Sequence, residues 1–367
     1  MTGRERLLAT LRREPVDRVP ISTYELTSIG AFGWMNEEPS YTRLMHEINT
    51  RTEQLPLWGA HMPRSPQDAP VDYEQWQEGA YTVTRMTIHT PKGDLTAVSK
   101  EEPSVKTTWT VEHLCKTEED IQRWLSLPVN LMPVDASGFA NIDAEVGDRG
   151  LVLCDTGDAL GWVAPLFEFG EFTILAMTEP DLVREMCDRM HARIMHLLRG
   201  TLEAGCGPFY RIWGPEYATP PYLPPSAFKE FVVPYVTEMV DLIHQYGCYA
   251  RIHSHGNIRH VLDYILETGA DAIDPVEPPP DGDIPLAEVK ARYGDRLILF
   301  GNMELKYLEQ ETPVEIDVRV KEMMDAAKAG GGYVLMPTAA PINIPLSPRT
   351  EANYLAYIAA GEKYGRY

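Results

Sequence analysis

The chain has 367 residues, of which 44% are hydrophobic and 24% charged. This composition is that of an ordinary globular protein and excludes a disordered or collagen-like chain. Fifty-four acidic against 33 basic residues give a formal net charge of -21, which disfavours nucleic acid and anionic membrane surfaces as partners. No apolar run approaches the roughly 20 residues that cross a bilayer, and the five cysteines form no C-x-x-C pair. We therefore expect a soluble, cytoplasmic protein.

Taken in chain order, a charged amphipathic helix is predicted for Met1 to Arg13, and short apolar runs typical of β-strands follow. There are eight such runs: Val19 to Thr23, Leu55 to Trp58, Leu151 to Cys154, Phe209 to Trp213, Cys248 to His253, Ala272 to Val276, Leu297 to Phe300 and Tyr333 to Met336. Helical patterns separate the later runs: Asp181 to Ala204, Ser226 to Tyr246, Asn257 to Thr268, Leu286 to Tyr293, Val314 to Ala329 and Ser347 to Lys363. This alternation predicts an α/β fold, a (β/α)8 TIM barrel in a single domain covering residues 1–367.

A different pattern interrupts the barrel at about residues 80–106. Tyr81 to His89 alternates apolar and polar residues, and a Pro-Lys-Gly-Asp turn leads into Leu95 to Val98. The pattern predicts an inserted β-hairpin. The hairpin could cap the mouth of the barrel or form a contact in a homodimer.

Catalytic groups of such barrels lie at the carboxyl ends of the strands, so the polar residues found there are the candidates for a site. They are Tyr24, Glu25, Asp155, Asp158, Glu216, His253, His255, Asp274, Glu277, Asn302, Glu304 and Thr338. From these we assign catalytic roles to Glu25, Glu216 and His255, substrate binding to Tyr24, Asp155, Asn302 and Thr338, and metal ligation to His253, His255 and Glu216.

The pair His253 and His255 is the sharpest local feature, because residues two apart at a strand end point to the same side. Two imidazoles on one face can chelate zinc or another divalent metal, with Glu216 as the third ligand. Alternatively, one histidine bonds to the backbone and the other binds a substrate anion. Glu25, directly after the first strand, could have a raised pKa and act as general acid, or it could be a solvated loop residue.

Two further positions have simpler explanations. Asp155 and Asp158 flank Gly157, and a helix N-cap accounts for at least one of them without catalysis. Asn302 could orient a substrate through its amide, or satisfy the backbone of a tight turn.

Several segments resemble the uroporphyrinogen decarboxylase superfamily, especially its corrinoid-dependent methyltransferase branch, over nearly the whole chain. The segments are Arg4 to Pro20, Trp109 to His113, Lys116 to Asp120, Leu223 to Tyr235, Gly256-Asn257, Glu267 to Ile273, Leu299 to Asn302 and Gly330 to Tyr333. In decarboxylases of the family, an Arg-Gln-Ala-Gly-Arg-Tyr motif that binds the tetrapyrrole propionates follows the first strand. Here Ser22 to Ser28 stands in that place, which disfavours a tetrapyrrole substrate.

The methyltransferase branch carries zinc on a His-x-Cys motif and a later cysteine. This sequence has His255 in place of the first cysteine and Ala339, beside Thr338, in place of the second. The resemblance implies a metal-assisted methyltransferase or demethylase that moves a methyl group from a small methylated substrate to a corrinoid protein or folate. With imidazole and carboxylate ligands in place of thiolates, the metal would be harder and more electrophilic. The alternatives are a cofactor-free decarboxylase and a non-catalytic binding barrel.

Overall fold

The computed structural model describes residues 1–29 and 33–367. Its strands are Leu57–Trp58 (β1), Val71–Glu78 (β2), Tyr81–Thr90 (β3), Gly93–Glu102 (β4), Val105–Glu112 (β5), Leu153–Gly157 (β6), Phe209–Trp213 (β7), Tyr249–His253 (β8), Ala272–Asp274 (β9), Ile298–Met303 (β10) and Tyr333–Pro337 (β11). The helices are Gly3–Leu11 (α1), Trp34–Glu37 (α2), Thr42–Arg51 (α3), Glu118–Leu125 (α4), Phe139–Val146 (α5), Ala159–Val163 (α6), Phe169–Thr178 (α7), Pro180–Glu203 (α8), Pro225–Phe231 (α9), Val233–Gln245 (α10), Leu262–Glu267 (α11), Leu286–Tyr293 (α12), Leu305–Gln310 (α13), Pro313–Ala327 (α14) and Pro348–Tyr364 (α15).

Seven of the strands form one parallel sheet in the order β1-β6-β7-β8-β9-β10-β11. The eighth position is taken by Ile21, which makes a parallel bridge to Leu335 of β11. On its other side, the backbone N–H of Glu53 donates to the Ile21 carbonyl at 2.8 Å. The sheet therefore curls into a TIM-barrel-like α/β fold, as the sequence predicts.

The first two predicted strands are shorter than expected, and proline is the physical reason. Pro20 and Pro56 have no backbone N–H to donate to a ladder. The N–H of Ile21 donates to the Glu53 carboxylate at 2.6 Å instead of to a strand. Val19 to Thr23 is thus reduced to one bridge, and Leu55 to Trp58 to the two residues of β1.

Side chains on the inner faces of the strands fill the barrel, among them Leu153, Phe209 and Phe300. The helices cover the outside. The helix predicted for Ser226 to Tyr246 is broken at Val232 into α9 and α10, because Pro234 lacks the N–H that a continuous helix would use. By length and hydropathy, no single helix of the described residues could cross a bilayer; α6 and α7 pass such a test only together, across a bend of 115°.

The insertion is larger than the predicted hairpin. It is a four-stranded antiparallel sheet, β2-β3-β4-β5, in which β3 and β4 are the predicted pair. No residue of the edge strands β2 and β5 is buried, and the sequence pattern does not predict a strand in either case. A bridge from Val105 to Asn343 and a bond from Lys106 N to the Ile342 carbonyl tie the sheet to the loop after β11.

Candidate active site at the barrel mouth

The pleat of the strands decides which side chains reach the mouth of the barrel. Ile298 and Phe300 of β10 lie in the inner core. Asn302 and Glu304 follow at the carboxyl end of this strand. Along β11, Val334 and Met336 lie in the inner core, and the alternation of residues leads to Thr338 at the same end.

Three charged side chains lie next to one another across β6, β7 and β8. The strand register places Asp155 beside Arg211, and Arg211 beside Arg251. Arg211 Nε donates to Asp155 Oδ1 at 2.6 Å, and its Nη1 lies 3.6 Å from Glu25 Oε1. Arg251, 1% exposed, forms an ion pair of 2.8 Å with Asp274. Both arginines are therefore already paired with carboxylates.

Tyr24 and Glu25 reach the same cluster from the first segment. Tyr24 has a φ of +57°, a backbone conformation that non-glycine residues rarely adopt. Its hydroxyl accepts a bond from Arg211 Nη1 at 3.1 Å, and its ring stacks on that of His253 with centroids 6.1 Å apart. Burial raises the pKa of Glu25; Arg211 opposes this shift, and the charge of Asp155 adds to it. Glu25 is thus placed to hold a proton.

His253 is held by a buried carboxylate. Its Nδ1 lies 2.8 Å from Oδ2 of Asp274, which is fully buried. Burial opposes ionisation of Asp274, but the charges of Arg251 and His253 outweigh it and lower its pKa to about 2. Burial lowers the pKa of His253 despite Asp274. A neutral ring that donates from Nδ1 presents Nε2 as an acceptor.

His255 is held in the same way by Glu277. The His255 Nδ1 and Glu277 Oε1 are 2.7 Å apart, and the N–H of Gly256 donates to the other carboxylate oxygen at 2.7 Å. Burial opposes the charged imidazole, but the bond to Glu277 raises the pKa of His255 overall. The rings of His253 and His255 meet edge to face, with centroids 4.6 Å apart. The structure therefore brings the two predicted imidazoles together.

Glu216 does not join His253 and His255 in a group that could bind a metal ion. Glu216 Oε2 accepts a bond of 2.8 Å from Gly214 N in its own turn. Within residues 1–29 and 33–367, no group of three or more His, Cys, Asp or Glu side chains is arranged to hold a metal ion. The expected three-ligand site of His253, His255 and Glu216 is thus not assembled, and we assign no step to a metal.

Asn302 and Thr338, for which the sequence predicts substrate binding, each make a hydrogen bond within the protein. Asn302 Nδ2 donates to the Val276 carbonyl at 3.0 Å, which is the backbone role considered above. Thr338 is 2% exposed, and its Oγ1 donates to Glu304 Oε2 at 3.1 Å. Burial, and then the charge of Glu277, raise the pKa of Glu304 to about 7. Glu304 is a functional candidate to which the sequence assigned no role.

Asp158 is the helix cap. Its Oδ1 accepts a bond of 2.6 Å from Gly161 N at the start of α6. Its side chain is fully buried, and burial raises its pKa. Of the two aspartates around Gly157, only Asp155 joins the charged cluster.

A cavity of about 370 Å³ lies between the mouth and the inserted sheet. Glu25 lines it on the barrel side, and residues of β3, β4 and β5, including Thr82, Glu101 and Lys106, line it on the other. The inserted sheet therefore faces Glu25 across this cavity.

Sequence reasoning missed the two arginines. Each stands at the centre of an otherwise largely apolar strand, as Phe-Tyr-Arg-Ile-Trp in β7 and Tyr-Ala-Arg-Ile-His in β8. A charged residue in the middle of a buried strand is itself a signal, because an unpaired buried charge is costly. Reading Arg211 and Arg251 in that way would have predicted inward-facing carboxylate partners.

Comparison with known proteins places this geometry in a family. Residues 164–347, half of the chain, match the family model for uroporphyrinogen decarboxylase (URO-D). The uroporphyrinogen decarboxylases of Psychromonas ingrahamii and Pseudoalteromonas translucida are each 28% identical over 171 residues. That match spans 45% of this chain and 45% of each relative, less than half of their length.

A solved structure, a methyltransferase from Methanosarcina mazei, is similar over 99% of both chains with a TM-score of 0.63 and 18% identity. At that identity the likeness shows the fold alone. Together with the family match over half of the chain, it identifies this protein as a member of the uroporphyrinogen decarboxylase family.

Proposed function

We propose that this chain is a methyltransferase that moves a methyl group from a small neutral or cationic methylated compound to a corrinoid on a partner protein, or to a folate. The charge balance of the mouth carries the proposal. Arg211 and Arg251 are each paired with a carboxylate, so neither guanidinium is left to bind a carboxylate of a substrate. A polycarboxylate tetrapyrrole would lack those arginines as partners, whereas a neutral or cationic substrate does not need them.

In the proposed reaction, the residues of this chain position the substrate and move one proton. The acceptor supplies the nucleophile that takes the methyl group. As the bond between the methyl carbon and its heteroatom breaks, the electron pair stays on the heteroatom, and Glu25 delivers its proton there. Arg211, 3.6 Å away, then stabilises the carboxylate that forms on Glu25.

The His253 and His255 pair would orient the substrate through hydrogen bonds. Each ring is fixed by a carboxylate on Nδ1, so Nε2 is the remaining atom for a ligand. A divalent ion at this pair stays an expectation from the sequence, and it would rest on two imidazoles.

A decarboxylase is the second candidate, favoured by the match to two curated uroporphyrinogen decarboxylases. The full-length structural likeness to a protein named as a methyltransferase favours the methyltransferase.

The methyltransferase and decarboxylase candidates differ in the product that they release. Purified protein is incubated with isotope-labelled methanol, trimethylamine or methoxybenzene and reduced cobalamin or tetrahydrofolate, and in parallel with uroporphyrinogen. Labelled methyl on an acceptor supports the proposal; carbon dioxide from uroporphyrinogen, without methyl transfer, refutes it.

A further inference from the structure

Glu304 has no cationic partner among the described residues, unlike Glu25, Asp155, Asp274 and Glu277. Glu25 and Asp155 contact Arg211, Asp274 contacts Arg251, and Glu277 contacts His255. The lysine next to Glu304 in the chain, Lys306, pairs with Asp281 instead.

The Glu304 carboxyl group is nevertheless held in one orientation. The Thr338 hydroxyl donates to its Oε2 and accepts from the N–H of Leu305 at 3.3 Å. Oε1 is buried and has no hydrogen-bond partner within the described part of the chain. The residue is 7% exposed, and it lies close enough to Glu277, the carboxylate that holds His255, for the charge of Glu277 to act on it.

A buried carboxyl group without a cation is favoured in its neutral form. In that form, with Oε2 accepting from Thr338, the acid proton lies on Oε1, which becomes a donor without an acceptor among the described residues. A donor left without an acceptor is unfavourable by about 1 to 3 kcal/mol in general. A bound ligand that supplies the missing hydrogen-bond acceptor would account for the unpaired Oε1 of Glu304.

We propose that Glu304 contacts the substrate, its Oε1 hydroxyl donating a hydrogen bond to an oxygen atom of the methylated compound. The inference rests on the proposed function and narrows its substrate class. An ether or alcohol oxygen has a lone pair that accepts this bond, whereas a methylammonium nitrogen has none. Glu304 thereby selects oxygen-linked methyl groups, while Glu25 remains the proton donor.

The kinetic test compares Glu304→Leu, Glu304→Gln and the control Glu309→Leu with wild type, using methoxybenzene and trimethylamine at about pH 6. Glu309 lies on α13, has a pKa raised by burial, and interacts with Tyr41 rather than with the mouth. Loss of one hydrogen bond predicts that kcat/KM for methoxybenzene falls about tenfold in Glu304→Leu, while Glu304→Gln, which keeps an N–H donor, stays within about threefold. An unchanged Glu304→Leu, or equal losses in the Leu and Gln variants, would overturn the inference.

A second test needs no substrate and uses the wild-type protein. A hydrophobic carbodiimide adds to a neutral carboxylic acid, takes up its proton, and leaves an N-acylurea whose whole added mass is located by peptide mass spectrometry. We expect labelling of Glu304 at about pH 6, because burial without a cation keeps its acid neutral. An unlabelled Glu304 would overturn the inference even if methyl transfer is established. If methyl transfer is absent but Glu304 is labelled, the proposed function fails and the ligand-facing acid stands.

Discussion

Arg211 and Asp155 lie at the same level on neighbouring strands of the barrel, with Arg211 Nε donating to Asp155 Oδ1 at 2.6 Å. The same guanidinium lies 3.6 Å from Glu25. One arginine therefore balances two carboxylates that enter the mouth from different segments. Removal of Arg211 would leave the carboxylates of Asp155 and Glu25 partly buried and without their cation.

We predict that Arg211→Met lowers the free energy of unfolding by about 3 kcal/mol, because breaking a buried pair leaves an uncompensated charge. Urea unfolding at neutral pH measures this loss. Arg199→Met, at an exposed position of α8, is the matched control and should stay within about 0.5 kcal/mol of wild type. An Arg211→Met variant as stable as the control would contradict the pairing.

The barrel itself could be predicted from the sequence because its strands are continuous apolar runs. The predicted boundaries of β7 are those observed, and β11 differs by one residue. The differences have local causes: Pro20 and Pro56 shorten the first two strands, and the edge strands β2 and β5 add no buried residue to the core.

The second prediction concerns Asp274, whose pKa is lowered to about 2 from its ordinary 3.8. A lowered carboxyl pKa contributes stability that is present above the unfolded value and is lost as pH falls through the folded value. We expect wild type to lose stability between about pH 4 and pH 2 more steeply than Asp274→Asn. The variant should also be less stable at neutral pH by about 3 kcal/mol, since Arg251 would lose its carboxylate.

Urea unfolding followed by circular dichroism across that range is the measurement. Asp325→Asn, at an exposed aspartate of α14, serves as the control. Parallel curves for wild type and Asp274→Asn below about pH 4 would rule out the lowered pKa.

The third prediction concerns Glu304, whose pKa is raised to about 7 from 4.5. The pH dependence is opposite to that of Asp274. Because the pKa of Glu304 is raised on folding, its contribution to stability is fully present below about pH 4.5 and is lost as pH rises through about 7. Between about pH 5 and pH 8, wild type should therefore lose roughly 2 to 3 kcal/mol that Glu304→Gln does not lose. Unfolding curves at the two pH values measure the difference, and Glu309→Gln should resemble wild type more closely. Equal losses in wild type and Glu304→Gln would contradict a neutral buried acid.

The candidate site could be predicted only in part, because sequence shows which residues follow strands but not what they contact. The alternation rule brought His253 and His255 together in advance. It could not show that Glu216 turns back to Gly214, since that depends on the conformation of one short turn. Nor could it show that Thr338 orients Glu304, a contact between neighbouring strands.

The most direct test of the proposed methyl transfer is its rate from isotope-labelled methoxybenzene to reduced cobalamin, measured for wild type and Glu25→Gln. We predict turnover by wild type and a rate about 10²- to 10⁴-fold lower in Glu25→Gln, because the amide cannot deliver the proton. Glu309→Gln should transfer methyl groups at the wild-type rate. Equal rates in wild type and Glu25→Gln, or no transfer by wild type together with release of carbon dioxide from uroporphyrinogen, would contradict it.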